Sequence, residues 1–343
     1  MDKYPAESVS LAAHLVAPPG LPEVAYHDVA RSPGEHKHWE GWGYRGPWAP
    51  MRNLTAVDMR RHYYAAVTFM DARVGELLSA LDESGRAEAT IVLFHSDHGW
   101  ALGENGMWRK FQLTELGTRV PLIVSVPWLP QSHGKRSAVI TELVDVMPSL
   151  SDLAGLPAPQ VHLGEAPLDG VSFAPIILEG DGTSDADGKA WADKGWALSV
   201  YPRCPTDPIG HGLWYNNWCI KVDRTKILYM GYSLRVHGWR YTAWQPWNGT
   251  SLSAVAWPES KPLNGTSVTN TTIPANENNG AGTSLFFEEL FAYSDAVGSE
   301  LDLDTLDVVE VSGQPENAAT TARLYAQLRQ YALEQRYSQY LAT

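Results

Sequence analysis

"TIVLFHSDHGWALGENGMWRK", Thr90 to Lys110, opens as an apolar run of strand length and stops at an acid and a histidine. A continuous apolar run is expected of a strand covered on both faces. After the loop, "VPLIVSVP" (Val120–Pro127) supplies a second such run. Upstream, Tyr63, Val67, Met70, Val74, Leu77, Leu78 and Leu81 recur at three- and four-residue steps, which predicts a helix from Asp58, as its cap, to about Leu81. Downstream, "TELVDVMPSLSDLAGL" reads as a helix ending near Gly155. Helix, buried strand, loop, buried strand, helix is the order expected of a parallel α/β sheet.

In open parallel sheets, ligands sit outside the carboxyl ends of the strands. Asp97 and His98 are expected at that edge, facing one cation. A carboxylate suits a hard divalent ion, whereas an imidazole is a less usual calcium ligand. Gly99 lets the backbone turn away, and Gly103 and Gly106 permit a tight loop that returns Arg109 and Lys110 to the same edge. An acid-held metal beside an ammonium suits an oxyanion such as sulfate or phosphate. On "SDHG" alone, a plainer reading stands beside this one: Asp97 caps a turn and His98 is a satisfied polar residue.

Composition narrows the classes. The 343 residues suffice for one large domain or two ordinary ones, and 44% apolar with 19% charged residues fits a globular core. A formal charge of −13 argues against a general binder of nucleic acid or of a membrane surface. No stretch approaches a membrane span in length. The first twenty residues lack a basic region followed by a continuous apolar one, so they read poorly as a signal peptide. Yet Asn53, Asn248, Asn264 and Asn270 each begin an Asn-X-Ser/Thr sequon, so the true amino end is expected to lie elsewhere. Cys204 and Cys219 are the only cysteines; they form one bridge or remain two thiols. His27, His36 and His38 invite a metal reading, but they fall in a Pro/Gly-rich stretch without ligand spacing.

Past a turn-rich acidic segment the pattern changes. "WALSVYP" reads as a strand, and "GYSLRVHGWRYTAW" as a hairpin about His237-Gly238. Asn248 to Thr283 reads as a long surface insertion, and "SLFFEELFAY" as a further strand. "PENAATTARLYAQLRQYALEQRY" is an amphipathic helix with Leu324, Leu328 and Leu333 near one face. The expected layout is an α/β part over 1–187 and a smaller α+β subdomain with an antiparallel sheet over 188–343.

The whole loop "SDHGWALGENGMWRK" closely resembles the metal-site loop of the sulfatase family, within the alkaline-phosphatase superfamily. It most resembles the branch containing iduronate-2-sulfatase. "RRHYYAAVTFMDARVGELLSALDESG", "TRVPLIVSVP", "MPSLSDLAGL" and "MGYSLRVHGWRYTAW" extend the resemblance in the same order, over most of Tyr4 to Trp244. It implies an alkaline-phosphatase-like mixed or parallel sheet flanked by helices, incomplete here. By the same resemblance Asp97 and His98 match a pair of calcium ligands, and Lys110 matches a lysine that contacts sulfate. Trp100 and Trp108 stand beside the site as candidates for a sugar pocket or for packing.

Such enzymes hydrolyse sulfate esters with calcium and a formylglycine made from a cysteine. The maturation signal, Cys or Ser, any residue, Pro or Ala, any residue, Arg, is absent from this sequence: Cys204 lies in "YPRCPTDP" and Cys219 in "NNWCIKVDR". The chain is therefore expected to be the carboxyl-terminal part of a sulfuric-ester hydrolase acting on a sulfated carbohydrate. Without the nucleophile and the other calcium ligands it is expected to be inactive alone, with apolar edges and faces exposed. A full-length relative is expected to be lysosomal, secreted or periplasmic. The alternatives are a non-catalytic remnant that binds sulfated carbohydrate or a partner, and a phosphoesterase relative.

Overall fold

The computed structural model describes residues 2–26, 46–157, 169–179, 194–204, 219, 223–266, 285–293 and 306–334. The histidines His27, His36 and His38 and the sequon at Asn270 lie outside the described residues. Helix α1 (Asn53–Glu83) leads into strand β1 (Val92–His95), a small hairpin of β2 (Ala101–Leu102) and β3 (Trp108–Arg109), the one-turn α2 (Glu115–Thr118) and strand β4 (Leu122–Ser125). Helices α3 (Val146–Leu153) and α4 (Ala174–Glu179) follow.

Helix α1 starts at Asn53, not at Asp58, because nothing between Pro50 and Asp58 interrupts a helix. Asp58 lies inside it, where its carboxylate meets Arg61 Nη1 at 3.2 Å on the exposed face. The end expected near Gly155 is found: α3 stops at Leu153, and Gly155 takes a left-handed φ of 65°.

The two apolar strands do pair, but antiparallel: Val92 faces Ser125 and His95 faces Leu122. This corrects the expected parallel arrangement. Parallel neighbours require a crossover, usually a helix, and the span between β1 and β4 holds only a hairpin and one helical turn. Coverage on both faces is also not met by the described residues, since Ile123 of β4 is 60% exposed. On α1, only Ala56 and Arg60 are buried, while Val67, Met70, Leu77 and Leu78 of the expected apolar stripe are exposed.

The second part is as the alternation suggests. Strands β5 (Trp196–Arg203), β6 (Tyr229–Val236), β7 (Trp239–Asn248) and β8 (Ser253–Ala254) follow one another in the sheet, and β9 (Phe287–Ala292) pairs with β7. All these pairings are antiparallel, and the β6–β7 hairpin turns at His237-Gly238 with Gly238 at φ 74°. Helix α5 (Ala318–Glu334) covers one face, where Leu324, Tyr325 and Leu328 pack on Leu234, Tyr241, Phe286 and Leu290. Leu333, expected on that face, is 48% exposed because it sits in the last turn, past the end of the core cluster. Cys204, next to the end of β5, is joined to Cys219 in a disulfide, which settles the open choice. Asn53, Asn248 and Asn264 are all exposed.

Candidate active-site edge

Strand β1 delivers Asp97 and His98 two and three residues beyond its last residue, as expected. Gly99 then passes so close to the following turn that a Cβ there would lie 1.9 Å from the Leu116 carbonyl oxygen. Its N–H donates to Gly117 O at 2.9 Å, so the loop is anchored by backbone where a side chain would wedge it open. The β2–β3 hairpin pairs Ala101 with Arg109 and Leu102 with Trp108. Gly106, at φ 72°, lets its tip pack against the Pro47 backbone. The hairpin therefore folds the chain back over the strand end and brings Lys110 with it.

The three charged candidates meet. Lys110 Nζ stands 3.1 Å from His98 Nε2, and Asp97 Oδ2 stands 3.3 Å from the same nitrogen. His98 Nδ1 lies 2.9 Å from Gly99 O, a carbonyl that can only accept, so Nδ1 carries a hydrogen and Nε2 is the ring nitrogen that faces Asp97 and Lys110. Asp97 Oδ1 also accepts the His98 N–H at 3.0 Å. The Asp97 side chain remains 80% exposed, so most of its lone-pair capacity faces solvent. Trp100 stacks on His98 at 6.3 Å and on Tyr63 at 6.0 Å, forming an aromatic flank.

Trp108 does not share that role. It is 2% exposed and packs with Met51 and Ala56, facing away from the cleft. The cause is the hairpin register: neighbouring residues on a strand point to opposite faces, and Trp108 takes the core face.

The strand end opens on a cleft of about 1250 Å³. Among the described residues its lining holds five cationic side chains, Lys110, Arg119, Lys135, Arg136 and Arg235, against three carboxylates, Asp97, Glu115 and Glu142. Two of the carboxylates are already engaged. Glu115 pairs with Arg235 at 3.3 Å, and Glu142 pairs with Lys194 at 2.6 Å. Burial raises the Glu142 carboxyl above its ordinary range, against the pull of Lys194. Within an acidic protein, the cleft thus concentrates positive charge. Sequence reading passed over Arg119, Lys135 and Arg136. Their only signal is local, two short runs, "GTRVP" and "GKRS", that read as ordinary solvated loop charge.

Lys110 sits between two residues in an unusual conformation. Arg109 has φ 70° and Phe111 φ 75°. Left-handed backbone at residues other than glycine costs about 1–3 kcal/mol each and persists only where surrounding structure enforces it. Among the described residues no group of three or more His, Cys, Asp or Glu side chains gathers as a metal cage.

Residues 12–156 match the sulfatase family model. Over 277 residues the chain is 32% identical to iduronate 2-sulfatase of Homo sapiens, which covers 71% of this chain and 48% of that relative. Residues 12–156 make a sulfatase-family domain. It is also 39% identical over 119 residues to choline-sulfatase of Rhizobium meliloti, covering 34% of this chain and 22% of that protein. Arylsulfatase K of Xenopus laevis is 28% identical over 170 residues, 50% of this chain and 30% of the relative. This sequence spans about half the length, or less, of these relatives.

The phosphonate monoester hydrolase SpPMH of Silicibacter pomeroyi superposes with a TM-score of 0.57 at 19% identity, covering 94% of this chain and 51% of that one. A protein solved in complex with its substrate D-glucosamine-2-N,6-O-disulfate superposes at 0.50 with 19% identity, covering 90% and 47%. These likenesses carry the fold: an α/β sulfatase fold of the alkaline-phosphatase type, here with antiparallel sheets flanked by helices.

Proposed function

We propose that this chain forms one wall of the active site of a sulfuric-ester hydrolase of iduronate-2-sulfatase type, acting on a sulfated carbohydrate. The observation that carries the reading is the meeting of Lys110, His98 and Asp97 at the mouth of a net cationic cleft. In water-poor clefts a positioned ammonium favours an oxyanion far more than it does in bulk solvent. In this reading Lys110 holds a sulfate oxygen, and Trp100 supplies a flat apolar wall for a sugar ring.

Asp97 and His98 are the calcium ligands in this proposal. The donor set fits part of such a site: an exposed carboxylate and an imidazole whose Nδ1 hydrogen is already placed, leaving Nε2. Calcium takes six to eight oxygen ligands, so two side chains supply only a fraction of the shell. When bound, the ion would offset negative charge on the ester's sulfate. The formylglycine precursor motif is not in these residues, so bond cleavage needs a nucleophile from outside them. The chain alone is then inactive. The part spanning 1–187 belongs to the catalytic domain in this reading, and 188–343 to a smaller subdomain that supports it. Lysosomal, secreted or periplasmic location goes with the same reading.

The test is calorimetric, on the whole chain, with a sulfated uronate disaccharide and its desulfated form. Preference for the sulfated form, weakened about tenfold by Lys110→Met, supports the reading, since one charge-assisted contact is worth about 1.5–3 kcal/mol. Calcium binding in the millimolar range should be lost in Asp97→Asn. Equal affinity for both disaccharides, indifferent to Lys110, would overturn it.

A further inference from the structure

We infer that two buried arginines of the second sheet, Arg203 and Arg240, are positioning residues that hold the turn carrying Lys110 in its working conformation. The inference rests on the reading of Lys110 as the sulfate contact. Five residues other than glycine have a left-handed φ among the described residues, and four of them, Asn105, Arg109, Phe111 and Asp307, belong to this one assembly. Such conformations do not hold themselves. The question is what enforces them, and the hydrogen bonds give the answer.

Arg203, at the end of β5 and wholly buried, spreads its guanidinium over three backbone carbonyls. Nη1 donates to Phe111 O at 3.1 Å, Nε to Val24 O at 2.9 Å and Nη2 to Ala25 O at 2.9 Å. Arg240 of β7, also buried, donates to Leu113 O and to the Asp307 carboxylate, and twice to the Tyr293 hydroxyl, at 2.9 and 2.8 Å. Asp307 in turn accepts the Glu115 N–H at 2.7 Å, so both sides of Leu113 are tied to the second sheet. The hairpin tip is tied as well: Asn105 Nδ2 donates to the carbonyls of Leu306, at 3.0 Å, and Asp307, at 3.2 Å. Neither Arg203 nor Arg240 lines the cleft beside Asp97, although Phe111 and Leu113, whose carbonyls they hold, do. What the two arginines hold in common is the backbone just after Lys110, at Phe111 and Leu113.

A guanidinium presents several donors in a fixed plane, which a lysine cannot reproduce. Arg203→Lys therefore keeps the charge and removes the fork, and Tyr293→Phe removes one shared hydroxyl from the Arg240–Asp307 pair. Both are milder than Arg240→Met, which would strand Asp307 and is the variant most prone to unfold. Amide hydrogen exchange is measured on the full chain, alongside protection of Lys110 from an amine-acylating reagent by inorganic sulfate. The expected result is at least tenfold faster exchange at Lys110–Leu113 in both mild variants, with β6 and α5 still protected. The sulfate concentration that half-protects Lys110 should rise about tenfold, with little change in thermal midpoint. Unchanged exchange at Lys110–Leu113, or faster exchange spread evenly over the sheet, would overturn the positioning role. If sulfate fails to protect Lys110 even in the unaltered protein, the sulfate-site reading falls, while the exchange result still decides the clasp.

Discussion

The two halves of this molecule bury their apolar residues to very different degrees. Around the second sheet, Leu234, Tyr241, Leu290, Leu324 and Leu328 are sealed between β6, β7, β9 and α5. At the strand end that bears Asp97, β1 and β4 make a two-stranded sheet among the described residues, and α1 leaves Phe69 at 66% and Leu77 at 72% exposure. A pair of strands is marginal by itself. The proposed site thus sits on the less self-sufficient half, and in the inference above the other half lends it order through Arg203 and Arg240.

The strongest way to break this contrast is to damage the second sheet. Trp244 is fully buried on β7, packs against the Arg203 guanidinium at 4.7 Å and donates its indole N–H to Glu289. Trp244→Ala should cost about 3–5 kcal/mol in urea unfolding. Exchange at Lys110–Leu113 should rise with the loss, because the clasp fails when its base does.

A second test uses pH. Burial raises the Glu289 carboxyl to about 7, with Trp244 and Arg240 pulling the other way. The folded value lies above the ordinary 4.5, so the folded protein holds the proton more tightly than the unfolded chain. The stabilisation is complete below about pH 4.5 and is lost as pH rises through about 7. Glu288 and Glu142 are shifted in the same direction. Thermal unfolding should show the sheet more stable near pH 5 than near pH 7.5, by at most about 3 kcal/mol from Glu289. Glu289→Gln should flatten that part of the profile; an unchanged slope would deny the carboxyl its role.

Smaller effects belong to the strand end. Gly99→Ala forces a methyl into the Leu116 carbonyl and should cost about 1–3 kcal/mol, felt in local exchange around Gly99–Arg119 more than in the second sheet. Least of all, Phe69→Lys and Leu77→Lys at exposed positions of α1 should change stability by no more than about 0.5 kcal/mol. They should lower binding of a hydrophobic dye. A large stability loss instead would show that those side chains are covered.

Local patterns spoke clearly where one face of an element decides its fate. The β6–β7 hairpin, the strand at Phe287–Ala292 and the end of α3 at Gly155 all follow from alternation, turn residues or caps. So did the return of Lys110 to His98, which glycine spacing and family likeness both indicated. Pairing direction was not legible, because an apolar run looks the same whichever way its neighbour runs. For Trp108 the choice between pocket and packing stayed open in the sequence, because period-two facing assigns it to the core only once the hairpin register is known. Arg203 and Arg240 gave no sign of their burial. A charged residue in a strand reads as solvent-facing until its carbonyl partners, some 90 to 180 residues away in Arg203's case, are seen.

The cysteine bridge adds a dependence on surroundings. Cys204 immediately follows Arg203, and its bond to Cys219 closes a span of 15 residues, a tether worth about 3 kcal/mol by loop entropy. Where thiols are kept reduced the tether opens beside the residue that grips Phe111, so the stability of this part of the fold is expected to differ between reducing and oxidising surroundings.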